Sequence, residues 1–116
     1  MHEMALMGDI LQLVERDAIS RNIHRVDKIE LVVGELSNAL PDALAMAFEV
    51  FRARGLARLS SDAQLMMIKE DAKAMCTVCG HEYEPDTRLS ICPKCHLPSG
   101  RLTAGETFKV QSYEGS

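Results

Sequence analysis

The strongest constraint on this chain is Cys76-Thr77-Val78-Cys79-Gly80, with twelve residues separating Cys79 from a second pair, Cys92-Pro93-Lys94-Cys95. Each Cys-x-x-Cys pair forms a tight knuckle whose sulfurs converge, and two knuckles complete a tetrahedron. Zinc accepts four thiolates at about 2.3 Å in closed sites, so Cys76, Cys79, Cys92 and Cys95 read as Zn(II) ligands. Iron bound as in rubredoxin uses the same donors and is the alternative. Two disulfides do not suit a reducing compartment, and a redox Cys-x-x-Cys usually stands alone near a βαβ unit. Four thiolates leave no open position, so the site reads as structural, with binding supplying on the order of 10 kcal/mol toward folding of its segment. His81 and His96 follow the two knuckles closely. They read either as solvated polar residues or as groups that hydrogen-bond a thiolate or replace one as a zinc ligand.

The remaining sequence must build the core that this stretch lacks. Met7, Ile10, Leu11, Val14 and Ala18 fall at helical spacing and predict a helix over Met4 to Arg21. Lys28 to Val33 places Ile29, Leu31 and Val33 on one face, is rich in β-branched residues and is closed by Gly34, which predicts a strand. Pro41-Asp42 opens a second helix with the stripe Leu44, Phe48 and Phe51, and Gly55 supplies a left-handed stop. Gln64 to Lys69 and Thr107 to Tyr113 predict two more strands. The elements make the fold class α+β: two helices and three strands, with an inserted four-cysteine, zinc-ribbon-like module before the last strand. The expected domains are 1–72 plus 101–116, and 73–100 for zinc.

Composition narrows the function. The chain is 47% apolar and 26% charged, with a formal net charge of −4 at pH 7. That balance argues against nucleic acid and anionic membrane as partners. No apolar run approaches the ~20 residues needed to span a bilayer, and the start lacks a signal-peptide pattern. A cytoplasmic location is expected. No nucleophile–base pair or phosphate loop is visible, so the chain does not read as an enzyme.

The chain starts Met1-His2-Glu3. The Met1 amine and the deprotonated amides of His2 and Glu3 are consecutive nitrogens that form adjacent five-membered chelate rings in one plane. Ni(II) and Cu(II) prefer such donation. The His2 imidazole replaces the amine, binds axially, or leaves the fourth corner to another group. An exposed, frayed terminus is the competing reading. His24, at the predicted helix end, is assigned no role.

MHE at the start, GELSNALPDALAMAFEVF in the middle and CTVCG…CPKCH before the last strand together resemble the HypA/HybF family of nickel metallochaperones, in the family's order and over essentially the whole chain. The resemblance implies that the two helices pack on a small three-stranded sheet. It also implies a protein that helps insert nickel into [NiFe]-hydrogenase, and in some organisms contributes to urease maturation. It implies partnership with a HypB-type nickel GTPase and with the hydrogenase large subunit or its maturation complex. It makes Met1, His2 and Glu3 the nickel-binding terminus, with Ni(II) as cargo, and Cys76, Cys79, Cys92 and Cys95 the structural zinc ligands. Two departures stand out: Ala39 where a larger aliphatic residue is common, and His96 where the second knuckle usually ends in glycine. The inserted-module topology makes strand exchange in a homodimer conceivable.

Two other classes compete with this reading. A zinc-ribbon nucleic-acid-binding module is weakly supported, since residues 73–101 set Lys73, Arg88, Lys94 and Arg101 against Glu82, Glu84 and Asp86, with Tyr83 as the sole aromatic. A zinc-stabilised adaptor whose terminus binds nothing is separated from a chaperone only by metal measurements.

Overall fold

The computed structural model describes residues 2–85 and 90–116. Its elements run α1 (His2–Ser20), β1 (Val26–Gly34), α2 (Pro41–Ala53), β2 (Leu59–Glu70), β3 (Lys73–Cys76), β4 (Glu82–Tyr83), β5 (Gly100–Ala104) and β6 (Phe108–Gly115). Two three-stranded sheets result, in the orders β2-β1-β6 and β4-β3-β5. No helix among the described residues is long and apolar enough to cross a membrane.

The chain divides into two compact units. The first comprises residues 1–32, 39–68 and 109–116. Its core is aliphatic apart from Phe48: Met7, Ile10, Leu11, Val14 and Ala18 from α1, Leu44, Ala47 and Phe48 from α2, and Ile29 and Leu31 from β1. The two helices pack on each other, and Gly8 brings α1 close to the Phe51 ring of α2. Polar tethers hold helices to strands. The Tyr113 hydroxyl of β6 donates to the Asp17 carboxylate of α1, which Arg21 also pairs at 2.8 Å. Arg52 of α2 donates to the Ala63 carbonyl of β2 at 2.9 Å.

α1 begins at His2, two residues before the predicted start at Met4. The reason lies in the helical period. Glu3 precedes Met7 by four residues and Ile10 by seven, so it sits on the buried stripe, and it is itself buried. An acid in the first turn also complements the helix dipole. α2 starts at Pro41 as its sequence predicts, and Gly55 beyond it has φ 66. β2 is longer than its predicted core of Gln64 to Lys69, beginning at Leu59.

The second unit comprises residues 33–38 and 69–108. Its middle strand, β3, pairs antiparallel with both neighbours, placing Ala74 opposite Tyr83 and Leu102, and Cys76 opposite Gly100. The flanking segments are tied in by backbone bonds. Glu35 N–H donates to the Glu70 carbonyl at 2.9 Å, and Leu36 N–H to the Gly105 carbonyl at 2.7 Å. The Glu70 carboxylate accepts from the N–H groups of Gly105 at 2.7 Å and Thr107 at 3.2 Å.

Candidate metal centres

The cysteine centre is built on the end of β3. Cys76 closes that strand, and its N–H donates to the His81 carbonyl at 2.9 Å, which turns the chain back into β4. Each knuckle is shaped by N–H groups aimed at sulfur. Val78 and Cys79 donate to Cys76 Sγ at 3.3 and 3.4 Å, and Cys95 donates to Cys92 Sγ at 3.4 Å. Such bonds stabilise sulfur as thiolate. Thr77 N–H donates to the Ser99 carbonyl at 2.8 Å, and Cys92 N–H to the Leu97 carbonyl at 2.9 Å.

The four sulfurs lie within 4.8 Å of one another, with Cys76–Cys95 and Cys79–Cys92 both separated by 3.8 Å. Metal–sulfur bonds of about 2.3 Å in a tetrahedron require sulfur–sulfur edges of about 3.8 Å. The donor set therefore fits Zn(II). Its electrostatics point the same way. The Cys76 thiol is lowered to about 5, first by the Ser99 hydroxyl at 3.1 Å and then by the Cys79 and Val78 N–H groups. The Cys95 thiol is pushed up to about 12, first through its hydrogen bond with Cys79, then by burial and its other thiol neighbours. Four thiols this close resist full ionisation together, and a divalent cation removes that resistance.

The two histidines beside the knuckles differ in placement. The His81 ring is half-buried and stacks on Tyr83, with centroids 6.0 Å apart and 14° between planes. His96 is exposed. Neither imidazole belongs to the donor cluster, which among the described residues consists of the four cysteines. Sequence reasoning missed three residues that support the centre: Ser99, Ser90 and Tyr83. The Tyr83 hydroxyl donates to the buried Ser90 carbonyl at 2.5 Å, and Gly100 N–H donates to the same oxygen at 3.1 Å. Small serines in a turn carry no pattern that would have singled them out.

The N-terminal residues form a second arrangement, within the first unit. Met1 lies outside the described residues. The His2 side chain is exposed, whereas Glu3 is 5% exposed. Glu3 Oε2 lies 3.4 Å from His2 Nδ1 and accepts the Leu40 N–H at 3.3 Å. The Glu3 carboxyl is held below its ordinary pKa first by its own backbone N–H, with further help from the Leu40 N–H and the His2 imidazole, against the opposing effect of burial. The amides of His2 and Glu3 belong to the first helical turn, where N–H groups have no intrahelical acceptor.

Comparison with known proteins shows what the whole chain is similar to. The family model described as "Hydrogenase/urease nickel incorporation, metallochaperone, hypA" matches residues 1–115. The hydrogenase maturation factor HypA of Chlorobium luteolum is 34% identical over 112 residues, covering 97% of this chain and 93% of the relative. That of Moorella thermoacetica is 30% identical over 115 residues, covering 99% of each. The solution structure of the Ni metallochaperone HypA from Helicobacter pylori superposes with a TM-score of 0.67 at 28% identity, covering 99% of this chain and 97% of that one.

Proposed function

We propose that this chain, which belongs to the HypA family of hydrogenase and urease nickel-incorporation metallochaperones, carries Ni(II) on Met1, His2 and Glu3 and delivers it during [NiFe]-hydrogenase maturation. It is a metallochaperone and not an enzyme. Cys76, Cys79, Cys92 and Cys95 hold a structural Zn(II) in a zinc domain spanning 73–100. For His81 and His96, next to the zinc ligands, two readings stand: solvated polar residues, or groups that hydrogen-bond a thiolate or replace one. X-ray absorption that found all-sulfur zinc unchanged across pH and nickel loading would remove that last role.

The observation that carries the nickel reading is the position of His2 and Glu3 in the first turn of α1. Deprotonating their amides for metal costs no helix hydrogen bond, because those N–H groups have no carbonyl partner within the helix. The helix dipole favours anionic nitrogen at that end. Protons and nickel compete for the same nitrogens, so affinity falls as pH falls. That suits transfer: the terminus binds at neutral pH and releases when its nitrogens are reprotonated or taken over by a receiving site.

The maturation machinery supplies the partners. A HypB-type nickel GTPase and the hydrogenase large subunit, or its maturation complex, are the proposed contacts, and urease maturation is a further destination. The cytoplasm is the proposed location.

The test is a nickel titration of untagged, zinc-loaded protein beside His2→Ala. One nickel bound by the native chain and lost from His2→Ala, with zinc retained in both, is the expected result. Equal binding by the two proteins, or none by either, overturns the reading in favour of a zinc-stabilised adaptor.

A further inference from the structure

The start of α2 lacks the usual local caps. Its N-cap is Leu40, whose side chain can accept no hydrogen bond. Pro41 follows at the first helical position and Ala43 occupies the third. In a capping box, a Glu or Gln at that third position reaches back to the N-cap N–H. Ala43 has no group to do so. Glu3, thirty-seven residues earlier, does it instead: its Oε2 accepts the Leu40 N–H at 3.3 Å.

The same Oε2 is 3.4 Å from His2 Nδ1. One buried carboxylate oxygen therefore joins the imidazole at the start of α1 to the start of α2. The carboxylate lies in the first turn of its own helix and at the N-terminus of another, and both helix dipoles favour its charge. It also lies on the core stripe with Met7 and Ile10, so burial fixes its direction.

We propose that Glu3 is a positioning residue whose carboxylate caps α2 from α1, and that this contact holds His2 and the first turn of α1 in the geometry that receives nickel. The proposal rests on the nickel-terminus reading for its second half and on the fold alone for its first. Glu3 then enters the metal site through its backbone nitrogen only, and its side chain acts through Leu40 and His2. Ordering the terminus before the metal arrives removes part of the entropy that a free tail would lose on binding.

The experiment uses untagged, zinc-loaded full chain as Glu3→Gln, Glu3→Ala and Leu40→Pro. Glutamine retains an oxygen that can accept the Leu40 N–H, and alanine retains nothing. Leu40→Pro deletes the donor while leaving Glu3 in place, and the Leu40 φ of −86 is close to what proline adopts. Two quantities are read: amide hydrogen exchange at Leu40 without nickel, and Ni(II) affinity with the visible absorption of the nickel complex. In Glu3→Ala, Leu40 exchange should accelerate and nickel affinity should fall about tenfold, the worth of one ordering hydrogen bond. Glu3→Gln should stay near the native values, and Leu40→Pro should reproduce the alanine loss of affinity.

Equal affinity losses and altered absorption in Gln and Ala would make the carboxylate itself a nickel ligand and overturn the proposal. Unchanged Leu40 exchange in Glu3→Ala overturns the capping half directly. If Glu3→Ala does not fold, Glu3→Gln and Leu40→Pro still decide between the outcomes. A native chain that binds no nickel defeats the nickel-terminus reading, whereas the Leu40 exchange still tests the cap.

Discussion

Gly80 and His96 are structural counterparts: each follows the second cysteine of its knuckle, and each adopts a left-handed backbone, with φ of 75 and 58. Each also donates its N–H to the carbonyl of the first cysteine of its pair, Gly80 to Cys76 at 3.0 Å and His96 to Cys92 at 2.8 Å. Glycine reaches this conformation freely, whereas a side chain at the same angles costs about 1–2 kcal/mol. His96→Gly is therefore expected to stabilise the zinc-loaded module by about 1 kcal/mol. Competition with a chelator checks it: zinc loss should slow, with nickel binding unchanged. Faster zinc loss would mean that the imidazole itself contributes to holding the metal.

Glu3 gives the chain a pH dependence whose sign is fixed by its surroundings. Its folded pKa lies below the ordinary carboxylate value, so the unfolded chain takes up the proton first as pH falls. The stabilisation from Glu3 is then fully present above the unfolded pKa and is lost as pH drops through the folded one. The thermal midpoint of native protein minus that of Glu3→Gln, both zinc-loaded, should be positive and constant near neutrality. It should shrink below about pH 4.5, and subtracting the variant cancels the acid lability shared through the cysteines. A gap independent of pH would show that the charge contributes nothing.

Much of this organisation was legible in the sequence, and the failures have physical causes. The apolar stripe of α1 and the Pro41 start of α2 were visible because their periods are set by burial against one core. The four-cysteine centre was visible because ligand spacing is dictated by the tetrahedron. Strands β3, β4 and β5 were not, since two to five residues are too few to show alternation. Their pairing depends on contacts far apart in sequence, such as Cys76 with Gly100. In the sequence Glu3 reads only as a candidate ligand, because a single carboxylate on an apolar stripe looks polar until its partner, a backbone N–H at Leu40, is known. Backbone donors leave no mark in a sequence.

Zinc removal should affect the two units unequally. The first has its own core of α1, α2 and β1 side chains. The second buries few large side chains, Cys76 and Cys92 being prominent among them, so its folding leans on the metal. Zinc in such sites supplies on the order of 10 kcal/mol at neutral pH. Chelation is expected to leave far-UV helical circular dichroism nearly intact while the amide resonances of Ala74, Met75, Tyr83 and Leu102 collapse to unstructured positions. Readdition of Zn(II) should restore them. Loss of the helical signal together with those resonances would show that the metal supports the whole chain.

The Gly100 position offers the sharpest packing test. A Cβ built there would stand 1.8 Å from Tyr83 Oη and 2.7 Å from the Ser90 carbonyl oxygen, both far inside contact distance. Gly100→Ala must therefore displace the Tyr83 hydroxyl from Ser90, and overpacking of this kind costs about 1–3 kcal/mol. Tyr83→Phe removes the clashing oxygen and loses one hydrogen bond, worth about 1 kcal/mol. The Gly100→Ala/Tyr83→Phe double variant should then be less destabilised than the sum of the two singles, because the hydroxyl bond is lost only once and the closest clash is absent. Zinc retention under a chelator series reads all three. Strict additivity would mean that the backbone at Ser90, rather than the tyrosine hydroxyl, sets the limit on residue 100.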